Sequence, residues 1–320
     1  MILDVCVIIA QRGKMSDLNT ENIEYSYFCV AFIDMLGQKE AFLENGKYLD
    51  TIEENISNPE ELKKKLGIAH RKTFAAVTGM RKQFYDFFTE YTSIASRPPS
   101  SIPEDKIELF KEMRKAHVDL QFFSDCIIAS SALRPDKHYA TVINSVYGIL
   151  MSCGGLLLHS LAMRNSFRAG IDVGFGIRID NKEVYGPAMF RAYEYESQTA
   201  QYPRIVVGEQ LINFLGNLSE RNSQLPNQSK VDIEWCKSLA DRCFSMIKVD
   251  VDGQAFVDYL GEEMVSGLRE DLGNERLKEI YALAFKFIDD EYKRFKELRD
   301  QKLAQRYFIL RQYFNARKIV

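Results

Sequence analysis

The chain has 320 residues, 46% of them hydrophobic and 27% charged, with a formal net charge of −3 and a pI of about 5.9. That is the balance of an ordinary globular protein, and it supplies no basic footprint for nucleic acid. Six cysteines without a C-x-x-C pair and four scattered histidines exclude the common zinc motifs, and the cysteines read as buried free thiols of a reducing cytosol.

The elements run as follows. The apolar start "MILDVCVIIA" is too short to cross a bilayer and lacks the basic opening of a signal peptide. Met15 opens the polar "MSDLNTEN", so residues 1–14 read as a mis-assigned start or a loosely held arm. No later stretch is long enough to span a membrane without charges, and the chain reads as cytoplasmic with no membrane partner. "YSYFCVAFID" (25–34) has the aromatic and β-branched content of a buried strand ending at Asp34. "MLGQKEAFLENGKYLDTI" then turns helical, with Gly37 near its start. Residues 59–95 predict a long helix opened by Pro59, 97–105 a proline-broken loop, and about 106–116 a short helix.

"VDLQFFSDCIIASSAL" (118–133) predicts a hairpin with Asp125 at its tip, where an acid is tolerated better than in a sheet interior. A helix over about 138–164 follows, then a strand "FRAGIDVGFGIRI" (167–179) whose glycines mark a bend or a close backbone approach. After a turn come a helix at about 188–199, a short strand at 203–208 and a hairpin at 246–260 turning on Asp252-Gly253. The last fifty residues predict one or two charged amphipathic helices.

The fold class is therefore α/β (α+β), a ferredoxin-like βαββαβ sheet with additions. Residues 1–20 form an N-terminal arm, 21–260 the central domain with a helical insert at about 56–117, and 261–320 a C-terminal helical extension. In such a sheet Asp34 and Asp125 converge. Two carboxylates in one cleft repel unless a cation lies between them, and a hard divalent cation is commonly held by carboxylates together with substrate phosphates. The helix opening beside Asp34, with Gly37 allowing close approach, is a natural phosphate cradle. Singly, Asp34 reads equally as a helix cap and Asp125 as a turn residue; it is the pair that points to chemistry.

Four segments carry a family resemblance. "FCVAFIDMLGQKEAF" resembles the F-x-D-I-x-G-F segment of class III nucleotidyl cyclases, and "LQFFSDCIIASSAL" their hairpin G-D segment, with Ser124 where glycine is usual. "FRAGIDVGFG" resembles their R-x-G-I-x-x-G strand, and "EVYGPAMFRAYEYESQTAQYPRIVV" the helix and strand that follow. The last segment is most similar to the pyrimidine cyclases of bacterial Pycsar anti-phage systems. The resemblance implies a homodimer that cyclises UTP or CTP, with UTP favoured, using two Mn²⁺ or Mg²⁺ ions per site, its product read by a separate effector protein. It implies Asp34, Met35 and Asp125 as metal ligands, Asp34, Asp125 and Arg191 as catalytic residues, and Gly37 and Glu183 as substrate-binding residues.

Departures leave two alternatives open, a purine cyclase and a nucleotide-binding domain without activity. The asparagine and arginine of the purine cyclases are replaced by Phe190 and Glu194, and their base-recognising lysine is absent near Asp119 and Gln121. Arg191 shares roughly the face of Glu194 and could take over the charge role, or be a salt-bridged surface arginine. Arg168 and Arg204 read as solvated structural arginines, Asp172 as a structural hydrogen-bond acceptor, and "FYDFF" (84–88) as core or dimer packing.

Overall fold

A computed structural model describes residues 23–37, 58–95, 103–135, 137–180, 183–220 and 229–317. The N-terminal arm and the helix predicted after Gly37 lie outside these residues.

β1 (Ile23–Met35) is the spine of an eight-stranded sheet. It is flanked by β3 (Cys126–Ala132) on one side and β4 (Phe167–Ile179) on the other, with β2 (Asp119–Phe123) outside β3. All three pairings are antiparallel, giving the order β2-β3-β1-β4 of a ferredoxin-like core. Beyond β4 the sheet adds β6 (Ile205–Val207) in parallel, then β8 (Ala255–Val257) and β7 (Ile247–Val249), while β5 (Glu183–Tyr185) pairs with the far end of β4. The chain is α+β, as its pattern predicts.

β1 reads as a continuous apolar run because both its faces are covered. Cys29, Ala31, Ile33 and Met35 face the main core, together with Ile127, Ala129, Phe167, Ala169, Ile171 and Val173. Helix α3 (Tyr139–Ala162) lies in that core, and only Thr141, His159 and Ala162 of it are not buried. Its length and apolarity match a membrane span, contrary to the reading that no such stretch exists; it instead forms the core of the folded domain. Its first turn is anchored by the buried carboxylate of Asp232 on α6 (Lys230–Ser245), which accepts from the amides of Tyr139 at 3.1 Å and Ala140 at 3.0 Å.

α1 (Pro59–Ala95), α2 (Ile107–Met113) and α5 (Glu209–Ser219) occupy the insert and the segment after β6. In α1, Phe84 of the "FYDFF" run is buried, whereas Tyr85 is exposed. α7 (Glu262–Leu272), α8 (Asn274–Glu297) and α9 (Gln301–Ala316) close the chain. The two long terminal helices match the pattern of the last fifty residues.

The opposite face of the sheet carries a smaller cluster: Phe28, Val30 and Ile128 against Val184, Ala188 and Ala192. The last two belong to α4 (Pro187–Glu194), which runs into a π-helical turn, Tyr195–Thr199. Glycines of β4 let α4 sit directly on the strand. A Cβ on Gly170 would collide with the Ala192 carbonyl and lie 2.6 Å from the Glu196 amide. This is the close backbone approach signalled by "FRAGIDVGFG".

Candidate active site

Asp34 and Cys126 are direct cross-strand partners on β1 and β3. Their side chains therefore leave the same face of the sheet, and the thiol donates to Asp34 Oδ1 at 3.1 Å. Asp125 would point to the other face if β3 began one residue earlier. It lies instead in the two-residue turn Ser124–Asp125, and its carboxylate joins the cluster: one ligand atom from each of Asp34, Asp125 and Cys126 lies within 4.8 Å of the others. Ser124 has φ 53°, the left-handed conformation that glycine takes at least cost.

The long helix α1 reaches this turn. Arg81 donates to the Ser124 carbonyl at 2.6 Å and lies over the Phe122 ring, 4.9 Å from its centroid. The insert thus holds the backbone next to Asp125.

Behind the carboxylates lies an ion pair. Arg168, opposite Asp34 on β4, is 2.7 Å from Glu196 Oε1 and 3.8 Å from Asp34 Oδ2. Glu196 is brought there by the π-turn and is only 2% exposed. Burial pushes its carboxyl up to about 7, with Asp34 adding to the rise and Arg168 offsetting part of it. Burial also holds Asp34 above the ordinary carboxylate range; the charge of Asp125 acts in the same direction, while Cys126 and Arg168 oppose it. The same burial, with Asp34 beside it, raises the Cys126 thiol.

Two half-buried acids joined by a third donor form a set suited to a divalent cation. Met35 has its side chain in the core, leaving only its backbone to serve a metal. Gly37 takes φ 82°, a left-handed conformation that suits glycine at the turn after β1.

The other predicted residues are not brought to this cluster within one chain. Arg191 is bound to Asp172, Nε to Oδ2 at 3.0 Å, and donates to the Val173 carbonyl at 2.6 Å. Asp172 faces Val30, roughly 13 Å along β1 from Asp34 at about 3.3 Å per residue. Asp172 is fully buried and also accepts from the Leu211 amide at 2.9 Å, so it is the structural acceptor the strand pattern suggests. Glu183 pairs with Ile179, which pairs with Ile23, roughly 35 Å along β1 from Asp34. It accepts from the Tyr185 hydroxyl.

Two arginines correct the sequence reading. Arg204 is not solvated but 1% exposed, ion-paired to Asp250 at 2.6 Å and Asp252 at 2.5 Å, and it donates to the Thr199 carbonyl at the end of the π-turn. Arg168 is likewise mostly buried beside the site. Cys126, Glu196 and Arg81 escaped sequence reasoning altogether. Cys126 was within its reach: once Asp34 and the hairpin are placed on adjacent antiparallel strands, the residue after Asp125 falls opposite Asp34. Glu196 depends on a π-turn and Arg81 on a helix docking, and neither leaves a periodic signal.

No protein-family profile and no curated protein matches the sequence. A solved structure described as a class III adenylyl cyclase-like ATP-binding protein from Pseudomonas aeruginosa is similar at a TM-score of 0.35 and 13% identity, across 85% of this chain and 50% of that one. The chain thus spans half the length of that neighbour. At such distance it is the geometry of Asp34, Asp125 and Cys126 that bears on function.

Proposed function

We propose that the protein is a pyrimidine nucleotide cyclase, converting UTP or CTP to the 3′,5′-cyclic monophosphate and pyrophosphate as a homodimer, and that its product is a second messenger of anti-phage defence. The observation that carries this reading is the convergence of Asp34 and Asp125, from β1 and from the tip of the β2–β3 hairpin, near the turn at Gly37. The ribose 3′-oxygen bonds to the α-phosphorus, the bond from that phosphorus to the bridging oxygen breaks, pyrophosphate leaves and the hydroxyl proton passes to solvent.

Asp34 and Asp125, with the Met35 backbone, would hold Mn²⁺ or Mg²⁺. When bound, such ions neutralise phosphate charge and lower the pKa of the attacking hydroxyl. Arg168 keeps Asp34 in place and limits the negative charge of the cluster. Base recognition falls to Glu183, Asp119 and Gln121 of the two chains; the absence of a lysine there favours a pyrimidine, and we favour UTP.

A second reading has its own support. Phe190, in place of the asparagine of purine cyclases, is 59% exposed, and Arg191 is tied to Asp172. A domain that binds nucleotide without turning it over would look the same. Incubating the purified protein with Mn²⁺ and each of the four nucleoside triphosphates tests both. Cyclic UMP or CMP with pyrophosphate is the expected outcome. Cyclic purine product alone would make it a purine cyclase, and binding without pyrophosphate release would leave the inactive domain.

A further inference from the structure

We propose that Cys126 turns the Asp34–Asp125 pair into a three-donor site for a thiophilic divalent cation, Zn²⁺ foremost, which displaces Mg²⁺ or Mn²⁺ and arrests the enzyme. The inhibitory part rests on the function proposed above; the binding part does not.

The argument begins with the strand register. Cys126 is placed opposite Asp34 by the β1–β3 ladder, so the two side chains leave the same face of the sheet side by side. The turn adds Asp125, and the three donors lie within 4.8 Å of one another. A tetrahedral zinc ion, with bonds of about 2.3 Å to sulfur and about 2.0 Å to oxygen, draws its donors to roughly 3.3–3.5 Å apart. The Cys126 to Asp34 separation of 3.1 Å has only to widen by a few tenths of an ångström, and Asp125, on a turn, has to move. Two oxygens and one sulfur leave the fourth position to water, as in open zinc sites.

Donor chemistry gives the selectivity. Mg²⁺ requires oxygen ligands and gains nothing from a sulfur, whereas thiolate selects zinc over the hard cations. On coordination the thiol proton goes to solvent. The two carboxylates and the thiolate then outweigh the dication by one negative charge, and the Arg168 guanidinium, 3.8 Å from Asp34 Oδ2 and shared with Glu196, is the cation beside it. The remaining described cysteines, Cys29, Cys153, Cys236 and Cys243, are buried in the core and offer no rival site.

Cobalt(II) reports the sulfur directly. Titrating the full chain with Co²⁺, without nucleotide, is expected to give a near-ultraviolet sulfur-to-cobalt charge-transfer band saturating at one ion per chain. Stoichiometric Zn²⁺ should erase it. Cys126→Ser and Cys126→Ala should both lack the band, and Asp34→Asn should weaken Co²⁺ binding by roughly a hundredfold or more, beyond the cost of losing an outer-shell partner. In the Mn²⁺ assay, each protein measured against its own uninhibited rate, Cys126→Ser should need on the order of a hundredfold more Zn²⁺ for half inhibition. A band that persists in Cys126→Ser, or no band in the wild type, overturns the site. If the band behaves as stated and no triphosphate is cyclised, the functional proposal fails and the metal site stands; if cyclisation occurs and the band is absent, only this inference fails.

Discussion

Charge, rather than shape, is what Asp34 and Asp125 contribute. Asn is nearly isosteric with Asp, keeps an oxygen to accept the Cys126 thiol, and suits a turn. Asp34→Asn and Asp125→Asn should each lower cyclisation by at least about a thousandfold, at the upper end of what one electrostatic group contributes, because the cation loses its counter-charge. The double variant should be no worse than either single one. Neither should destabilise the fold: Asp34 is held above the ordinary carboxylate range, so its neutral replacement should if anything stabilise the chain at neutral pH. A folded Asp125→Asn protein cycling at the wild-type rate would reduce Asp125 to a turn residue. Glu196 gives a test that needs no substrate. Its carboxyl titrates at 4.5 in an unfolded chain and at about 7 in the folded one. Between those values the folded state holds the extra proton, so stability is fully present below 4.5 and falls as pH rises towards 7. The loss should be on the order of 3 kcal/mol, with the ion pair to Arg168 already included in that rise. Glu196→Gln removes this slope, and its melting temperature should gain on the wild type as pH rises through that window. Parallel curves would place the Glu196 carboxylate in its charged form throughout.

The hairpin that carries Asp125 is held from outside the sheet. Arg81→Ala on α1 leaves the Ser124 carbonyl without its 2.6 Å donor and frees a turn already in a left-handed conformation. The Mn²⁺ concentration for half-maximal activity should rise about tenfold, the lower range for loss of a residue supporting metal ligands, with kcat at saturating Mn²⁺ falling less. Arg81→Lys should restore part of it, and unchanged metal dependence would make Arg81 a surface contact only. Other elements show what a sequence can and cannot disclose. β1, the β2–β3 hairpin, α3 and β4 were legible because each is a long apolar or alternating run with turn residues at its ends, and β4 spans 167–179 as its pattern predicts. The Asp34–Asp125 convergence followed from strand order alone. β5 was read as part of a turn, being three residues that pair only with the end of β4. α5 and α6 carry no pattern that a sequence reading picks out; α6 is a polar helix whose few buried apolar residues, Cys236, Leu239, Ala240 and Cys243, make a narrow stripe. The predicted helix over about 188–199 is α4 continued by the π-turn, and it is that change of pitch that carries Glu196 into the site.

The whole molecule is lopsided. One face of the sheet is buried under helices, while the other carries a small cluster and α4, leaving Phe123 75%, Phe190 59% and Tyr193 46% exposed along it. Large aromatics scattered singly on a surface are ordinary, but these share the face that bears Asp34, Cys126 and Arg168. Arg191 and Glu183 lie far along β1 from the carboxylates of their own chain, so they can join that site only if a second copy brings its β4 end to the first copy's β1 end. A two-fold axis across this face would do so twice, making two equal sites. Size-exclusion chromatography with light scattering should therefore find a homodimer. Phe123→Asp with Phe190→Asp should yield a monomer that melts within about 0.5 kcal/mol of the wild-type stability, since neither ring contributes much to the single-chain core. Its specific activity should fall at least about a hundredfold, and wild-type activity per chain should fall on dilution below the dissociation constant, in step with the mass measured by scattering. A wild-type protein that is monomeric at every concentration and still cyclises nucleotide at full rate would confine the site to one chain, and Arg191 would then serve only to neutralise Asp172.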